Sequence, residues 1–438
     1  MRTHVSSRCC GGVRSISSTG VRPVARIPTG TWDSSIPNGI WPTTSGSCTP
    51  RCCPTTNSFF IRVWPRGSHG HGRRPDVSDA RVAALKPAAG IAAPPAALPP
   101  ATVYLALGGL VLLLFILELT IGVVPIPMSA LVDIFTGDVP ERASWTRIVL
   151  DFRLPRAWAA VLAGAGIGMT GLLLQTLFRN PLADPWVLGV VNGAGLGVAI
   201  MVVAVSWFGT DLLASLGAAG DLAYIVTAGL GAAALMAGLA AAAPRVTSVT
   251  LLVTGVVLGF TCQGLISIVL HLAPDEAVGR AFSAWFDGNF TGIGYTRLYV
   301  FTPLIGMACL AAFAMVKSLN TLLLGDRYAA SLGLDVTRAR RVGLGVAALL
   351  AGTVTAFCGP IAFLGILVPH ACRLLLSTAD HRVLMPAVTI GGAALALGAD
   401  LVTHLPWSRH LLHVNAVTGA VGGPIVLWML LRSRVRWT

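Results

Sequence analysis

Pro155–Leu177 reads PRAWAAVLAGAGIGMTGLLLQTL, and after Arg156 it carries no charge at all. That uncharged run matches the length a helix needs to cross hydrocarbon, about 20 residues. Its composition is Ala, Gly and Leu, with Gly164 and Gly168 one helical turn apart. Small faces let helices pack closely in lipid, where no hydrophobic drive brings them together. The same device recurs at Gly193 and Gly197, so the segment reads as one packed helix of a membrane bundle.

The rest of the chain supports that reading. Of 438 residues 54% are apolar and only 11% are charged, and mean hydropathy is +0.75, which excludes a water-soluble protein. Uncharged runs, punctuated by Pro, Gly and charge, give about ten spans. Their limits lie near 102–125, 155–177, 187–207, 221–242, 249–271, 297–316, 339–357, 360–377, 385–404 and 414–432. The expected fold is an all-α polytopic membrane protein, with a transmembrane domain over 101–438.

Residues 1–100 are a different polymer. They hold 12 of the 31 Lys and Arg but 3 of the 18 acids, and so supply +9 of the +13 net charge. The basic pI therefore reports the tail, and nucleic-acid binding is not inferred from it. Rich in Ser, Pro, Gly and Arg and without periodicity, the tail is expected to be disordered. It lacks a signal-peptide pattern, and a start assigned too far upstream is an alternative reading of it. Its cysteines, Cys9, Cys10, Cys48, Cys52 and Cys53, lack the separated pairs of a zinc site. Cys262, Cys309, Cys358 and Cys372 are scattered through apolar segments and imply no disulfide framework.

With the N-terminus inside, twelve Lys and Arg fall on cytoplasmic connections and seven on outer ones, tail excluded. The excess places both termini in the cytoplasm of a multi-pass protein of the cell (inner) membrane. Ionisable groups inside the spans are few: Glu118 is the clearest, with His271, His370 and Asp400 near span ends, where snorkelling or an interfacial hydrogen bond is the ordinary expectation. That scarcity argues against an ion-coupled carrier and against an intramembrane enzyme. Energy then comes from elsewhere, yet the chain has no nucleotide-binding loop, since its two lysines, Lys86 and Lys317, follow Leu and Val. An ATPase must be a separate subunit docking on the cytoplasmic side. The longest inner connection, Leu322–Asp335 (LLLGDRYAASLGLD), reads as two short helices broken at Gly333, either a force-transmitting knob or an ordinary amphipathic surface helix.

Several ordered motifs carry a specific resemblance. They are Arg153-Leu-Pro-Arg156, the run from Gln175 through Phe178-Arg-Asn-Pro-Leu-Ala-Asp-Pro185, Leu188–Gly195, Leu323-Leu-Gly-Asp326 with Ser331-Leu-Gly333, Gly359–His370, His381-Arg382 and Gly422-Gly-Pro424. Together, from about 103 to 435, they resemble the FecCD-type permeases, the membrane subunits of ABC importers for ferric siderophores, haem and cobalamin. The resemblance implies a type II ABC importer permease fold of ten spans. It also implies pairing with a second permease subunit, identical or similar, two ATP-binding subunits below and an extracytoplasmic substrate-binding protein above. No catalytic group, cofactor or metal is then expected on this chain, and ATP with Mg²⁺ belongs to the partner ATPase. A ferric siderophore is the expected cargo, with haem or cobalamin as the alternative and an ion-coupled carrier behind both.

By the same resemblance, Asn180, Leu182, Thr247 and Ser248 look like cytoplasmic gate residues, although Asn-Pro and Thr-Ser equally suit helix-capping turns. Leu324, Gly325, Asp326, Ala329, Ser331, Leu332 and Gly333 look like the ATPase coupling loop, with Arg327 and Tyr328 departing from the family pattern. Arg153 and Arg156 resemble the receptor for acidic residues of the binding protein, a role the planar guanidinium fork suits; lipid-headgroup anchoring is the other reading. A third docking contact is displaced: His404 stands four residues after Asp400 where relatives tend to have Arg, and Arg409 is the replacement candidate. The departure leaves His404, His410 and His413 beside Trp407, expected to be interfacial.

Overall fold

The computed structural model describes residues 98–208, 218–243, 245–404 and 412–432. The expectation for the tail lies almost wholly outside these residues, as do Arg409, Trp407 and His410. Every regular element among them is helical. In chain order they are α1 (Pro100–Thr120), α2 (Met128–Thr136), α3 (Ala143–Arg147), a π-helical turn (Ile148–Arg153), α4 (Leu154–Phe178), α5 (Val190–Phe208), α6 (Ala218–Ala242) and α7 (Ser248–His271). There follow α8 (Glu276–Phe286), α9 (Tyr295–Ala314), α10 (Val316–Leu323), α11 (Asp326–Ser331), α12 (Val336–Cys358), α13 (Leu364–Leu376), α14 (His381–Thr403) and α15 (Val414–Arg432).

Eight of these are long and apolar enough to cross a membrane: α1, the rod Ala143–Phe178, α5, α6, α7, α9, α12 and α14. Two shorter apolar helices, α13 and Val414–Trp428 of α15, occupy the eighth and tenth expected positions. The all-helical membrane architecture is therefore as expected, with corrections at the ends. The expected eighth span, 360–377, loses its first turn because Gly359 and Phe363 both adopt left-handed backbone, φ 72° and 66°. The first stops at Thr120, ahead of Pro125 and Pro127. The second begins twelve residues early, at Ala143, running through the π turn without a break. Four short helices among the described residues, α2, α3, α8 and α10, had no expected counterpart: each is too short to give a hydropathy signal, and α8 fully buries only Val278 and Phe282.

The rod ending in α4 is the axis of the fold. Of its most apolar stretch 83% is buried, against 17% for α1, and it packs on α14, α12, α13 and α9. The small residues that drew attention in sequence make this possible. A Cβ on Gly164 would strike the carbonyl of Gly392 in α14, and one on Gly197 would strike that of Thr227 in α6. Helix backbones thus touch directly, the packing expected where lipid supplies no hydrophobic drive.

Three of the chain's scarce acids cap helix starts. Asp275, Asp335 and Asp380 accept hydrogen bonds from the backbone N–H groups of Ala277, Arg338 and Arg382, capping α8, α12 and α14. Each satisfies an otherwise orphaned donor and faces the positive end of a helix dipole. The four described cysteines are unpaired, as expected.

Candidate functional site

At the outer end of the bundle, by the orientation expected from the loop charges, Arg156 lies on the first turns of α4 with its side chain 13% exposed. Its Nε donates to Asp400 Oδ2 at 2.9 Å and its Nη2 to Asp400 Oδ1 at 2.7 Å, a bidentate pair with α14. Glu118, buried in α1, brings Oε1 within 3.8 Å of both Arg156 Nε and His404 Nδ1. The expectation of snorkelling fails here: Asp400 is buried as the bidentate partner of Arg156, and Glu118 is buried beside the same guanidinium. His404, just past the end of α14, donates from Nδ1 to the Asp400 carbonyl at 2.8 Å.

Arg153 turns the other way. Its guanidinium donates to the carbonyls of Leu119 (2.8 Å) and Val124, closing the C-terminal end of α1. It lies against Gly122, where a Cβ would come within 2.7 Å of Nη2. Neither docking candidate therefore presents an unengaged fork: Asp400 of the same chain fills that of Arg156, and gripping a partner carboxylate would require its displacement. Of the histidines, His404 belongs to the Arg156 site and His413 lies 3.5 Å from Asp287, while His410 lies outside the described residues. Glu118, Asp400 and His404 offer ligand atoms within 4.8 Å of one another, but Arg156 holds both Asp400 oxygens, which makes the group an ion-pair cluster rather than a cation cradle.

The inner end of α4 is tied by polar groups, several of them in the motifs, to which the sequence reading assigned no individual role. Gln175 donates to the Gly365 carbonyl at 3.1 Å and accepts from Arg373 at 2.6 Å. The buried His381 ring spans Asn320 Oδ1 and Thr176 Oγ1, each at 2.8 Å; the Asn320 oxygen can only accept, so Nδ1–H donates to it, while Thr176 Oγ1 also lies 2.8 Å from the Leu172 carbonyl, to which its one proton is directed. Asp184, in the loop after α4, accepts from Trp186 N–H at 3.0 Å and is otherwise enclosed beside Gly365. Burial pushes its carboxyl up to about 7, against the smaller opposing effect of that N–H.

Beyond α4 comes the gate candidate. Arg179 ends the helix in left-handed backbone (φ 48°), Asn180 N–H bonds back to Gln175 O, and Asn180 Oδ1 accepts Leu182 N–H at 2.9 Å. Asn180 and Leu182 are half-buried on this stiff turn. Thr247 is the N-cap of α7, its hydroxyl accepting from Thr250 N–H, and Ser248 opens the helix. The capping geometry expected of both pairs is thus present, on two separate turns.

The coupling candidate is a knob framed by two left-handed glycines, Gly325 (φ 103°) and Gly333 (φ 84°). In place of the two short helices expected across Leu322–Asp335 there is one beyond the end of α10, α11, because after Gly333 only Leu334 and the capping Asp335 precede the long α12. Ala329 is buried under the knob, while Leu324, Tyr328 and Leu332 are 59%, 70% and 66% exposed, with Ser331 beside them. Asp326, at the first position of α11, meets Arg179 Nη2 at 2.5 Å and Arg340 Nη2 at 2.9 Å.

Residues 110–432 match the FecCD transport family. The chain belongs to that family. It is 33% identical to the hemin transport system permease protein HmuU of Yersinia pestis over 335 residues, 75% of this chain and 96% of that one. It is 35% identical to the ferric enterobactin transport system permease protein FepD of Escherichia coli (strain K12), with the same coverage of 75% and 96%. To the vitamin B12 import system permease protein BtuC of Klebsiella pneumoniae it is 34% identical over 66% of this chain and 83% of that one. A solved structure, described as an inward-facing conformation of a metal-chelate type ABC transporter, superposes with a TM-score of 0.66 at 21% identity, covering 76% of this chain and 99% of that one; it shows the shared fold. The resemblance drawn from the motifs is borne out, and the protein is a membrane-spanning permease of the FecCD family.

One residue of this FecCD permease to which the sequence reading gave no role is Asn415, on the first turn of α15. Its Oδ1 accepts Ala362 N–H at 3.0 Å, and its Nδ2 donates to the Pro360 carbonyl at 2.9 Å and to that of Phe286 at 3.4 Å. It therefore pins the non-helical entry to α13 against α8. A lone Asn in an atypical segment gave no sequence signal for this.

Proposed function

We propose that the protein is the transmembrane subunit of an ATP-driven ABC importer that passes a ferric siderophore from an extracytoplasmic binding protein to the cytoplasm by alternating access. Membership of the FecCD family carries this reading. The exposed apolar knob supports the ATPase partner: Leu324, Tyr328 and Leu332 stand out from a helix anchored by Ala329, a surface that a docking subunit would bury. The chain contributes the path and the moving parts, and ATP with Mg²⁺ acts on two partner subunits. A second permease subunit completes the central path. The relative named for ferric enterobactin favours a siderophore as cargo; haem and cobalamin are the competing cargoes.

The excess of positive charge on the inner connections supports both termini lying in the cytoplasm and a place in the inner membrane. Gate roles for Asn180, Leu182, Thr247 and Ser248 follow from their turns at the inner ends of α4 and α7. In the same reading Arg153, Arg156 and Arg409 dock the binding protein, the first two by exchanging their internal partners for its acids. The test is uptake in a strain deleted for this gene: labelled ferric siderophore should no longer accumulate and should return on complementation. Loss of haem or cobalamin uptake in its place would reassign the cargo.

A further inference from the structure

Asp326 is the one acid of the knob helix, and both its carboxylate oxygens are engaged, each by an arginine from a different helix. Oδ2 meets Arg340 on the first turns of α12, the helix that packs along α4 inside the bundle. Oδ1 meets Arg179, whose Nη2 also lies 3.4 Å from the Leu322 carbonyl at the end of α10. Arg179 is the residue immediately before Asn180. Its backbone is fixed by hydrogen bonds from Arg179 N–H to Thr176 O and from Asn180 N–H to Gln175 O, and the next residues are fixed by Leu182 N–H on Asn180 Oδ1 and Ala183 N–H on Asn180 O. A displacement of the Arg179 side chain therefore passes to Asn180 and Leu182 with little slack.

As a stabilising contact the Arg179–Asp326 pair is minor, because both side chains are about two-fifths exposed and pairs of that kind contribute roughly 0–1 kcal/mol. Its significance is positional. We infer that Asp326 mechanically links the knob to the inner gate, so that a push on α11 is delivered through Arg179 to the Asn180–Leu182 turn, while Arg340 only seats the knob on α12. This rests on the transport reading above and assigns to Arg179 and Asp326 a role as positioning residues, neither touching cargo nor nucleotide.

The test uses the complete transporter, permease with its ATPase and binding protein, in proteoliposomes, reading cargo imported per ATP hydrolysed; co-purification of the ATPase checks assembly of every variant. Arg179→Gln should lower that ratio severalfold, up to about fivefold, the ceiling for a pair worth about 1 kcal/mol. Asp326→Asn should lower it equally, and the double variant no further. Arg179→Lys, which keeps the charge, should recover most of the wild-type ratio, and Arg340→Gln should leave it within about twofold of wild type. A wild-type ratio in Arg179→Gln overturns the link. So does an equal loss in Arg340→Gln, which would show that seating the knob is all that matters. A wild-type complex that hydrolyses ATP without importing any cargo is a different failure, sinking the transport reading and the link together.

Discussion

Arg156 and Asp400 form a bidentate ion pair, 2.7 and 2.9 Å, between the first turns of α4 and the last turn of α14, with Glu118 of α1 closing the third side. Three helices far apart in sequence meet on one guanidinium. A buried pair of this kind adds little net stability over an apolar substitute, but breaking it leaves an uncompensated charge, at a cost of about 3–5 kcal/mol. Arg156→Gln should therefore lower the thermal midpoint in detergent sharply, and adding Asp400→Asn should restore much of it. Equal midpoints for Arg156→Gln and wild type would show that the pair does not form.

Backbone contact between α4 and α14 gives a second expectation. A side chain at Gly164 has no room against the Gly392 carbonyl, and backbone cannot yield as a flexible side chain can. Gly164→Val should cost about 3 kcal/mol or more, read as loss of the folded, monodisperse fraction after extraction. Gly229, which has open space around its Cβ position, should accept Ala without effect.

The carboxyl of Asp184 has its folded-state value raised to about 7, far above its unfolded value. The sign follows directly: between about pH 4 and 7 the native state keeps a proton that the unfolded chain has lost, so stability falls as pH rises through that window, by roughly 1.4 kcal/mol per pH unit, and levels off above it. Asp184→Asn should flatten this slope, which thermal unfolding at pH 5 and pH 7 measures. A slope identical to wild type would contradict the burial of this carboxyl.

Asn415 supplies one acceptor and two donors to the entry of α13 and the end of α8. Asn415→Ala strands Ala362 N–H and Pro360 C=O, each worth about 1–3 kcal/mol if left without a partner. Asn415→Asp keeps the acceptor and loses the donors, so its thermal midpoint should fall between those of wild type and the alanine variant.

The spans were legible because hydropathy and small-residue spacing are local properties of the chain. Pro155–Leu177 announces a membrane helix by itself, and Gly164 and Gly197 announce close packing. What needed coordinates was long-range pairing. Glu118 and Asp400 looked like span-end groups until α14 brought Asp400 onto Arg156, some 244 residues away in sequence. Motif matching placed Arg153 and Arg156 on the outer face, yet no local pattern records that one closes the end of α1 and the other grips α14. Gly325 and Gly333 marked the knob, whereas Asp326 holding two arginines was invisible because Arg179 lies 147 residues upstream. Short α2 and α8 escaped because an amphipathic helix of ten residues or so gives little signal beside twenty-residue apolar runs.

The most direct test of the account is cargo accumulation in proteoliposomes that hold either the permease alone or the permease with its ATPase and binding protein. The account predicts that only the complete assembly, supplied with ATP, concentrates ferric siderophore against a gradient. Sustained uphill accumulation by the permease alone, driven by an ion gradient, would contradict it.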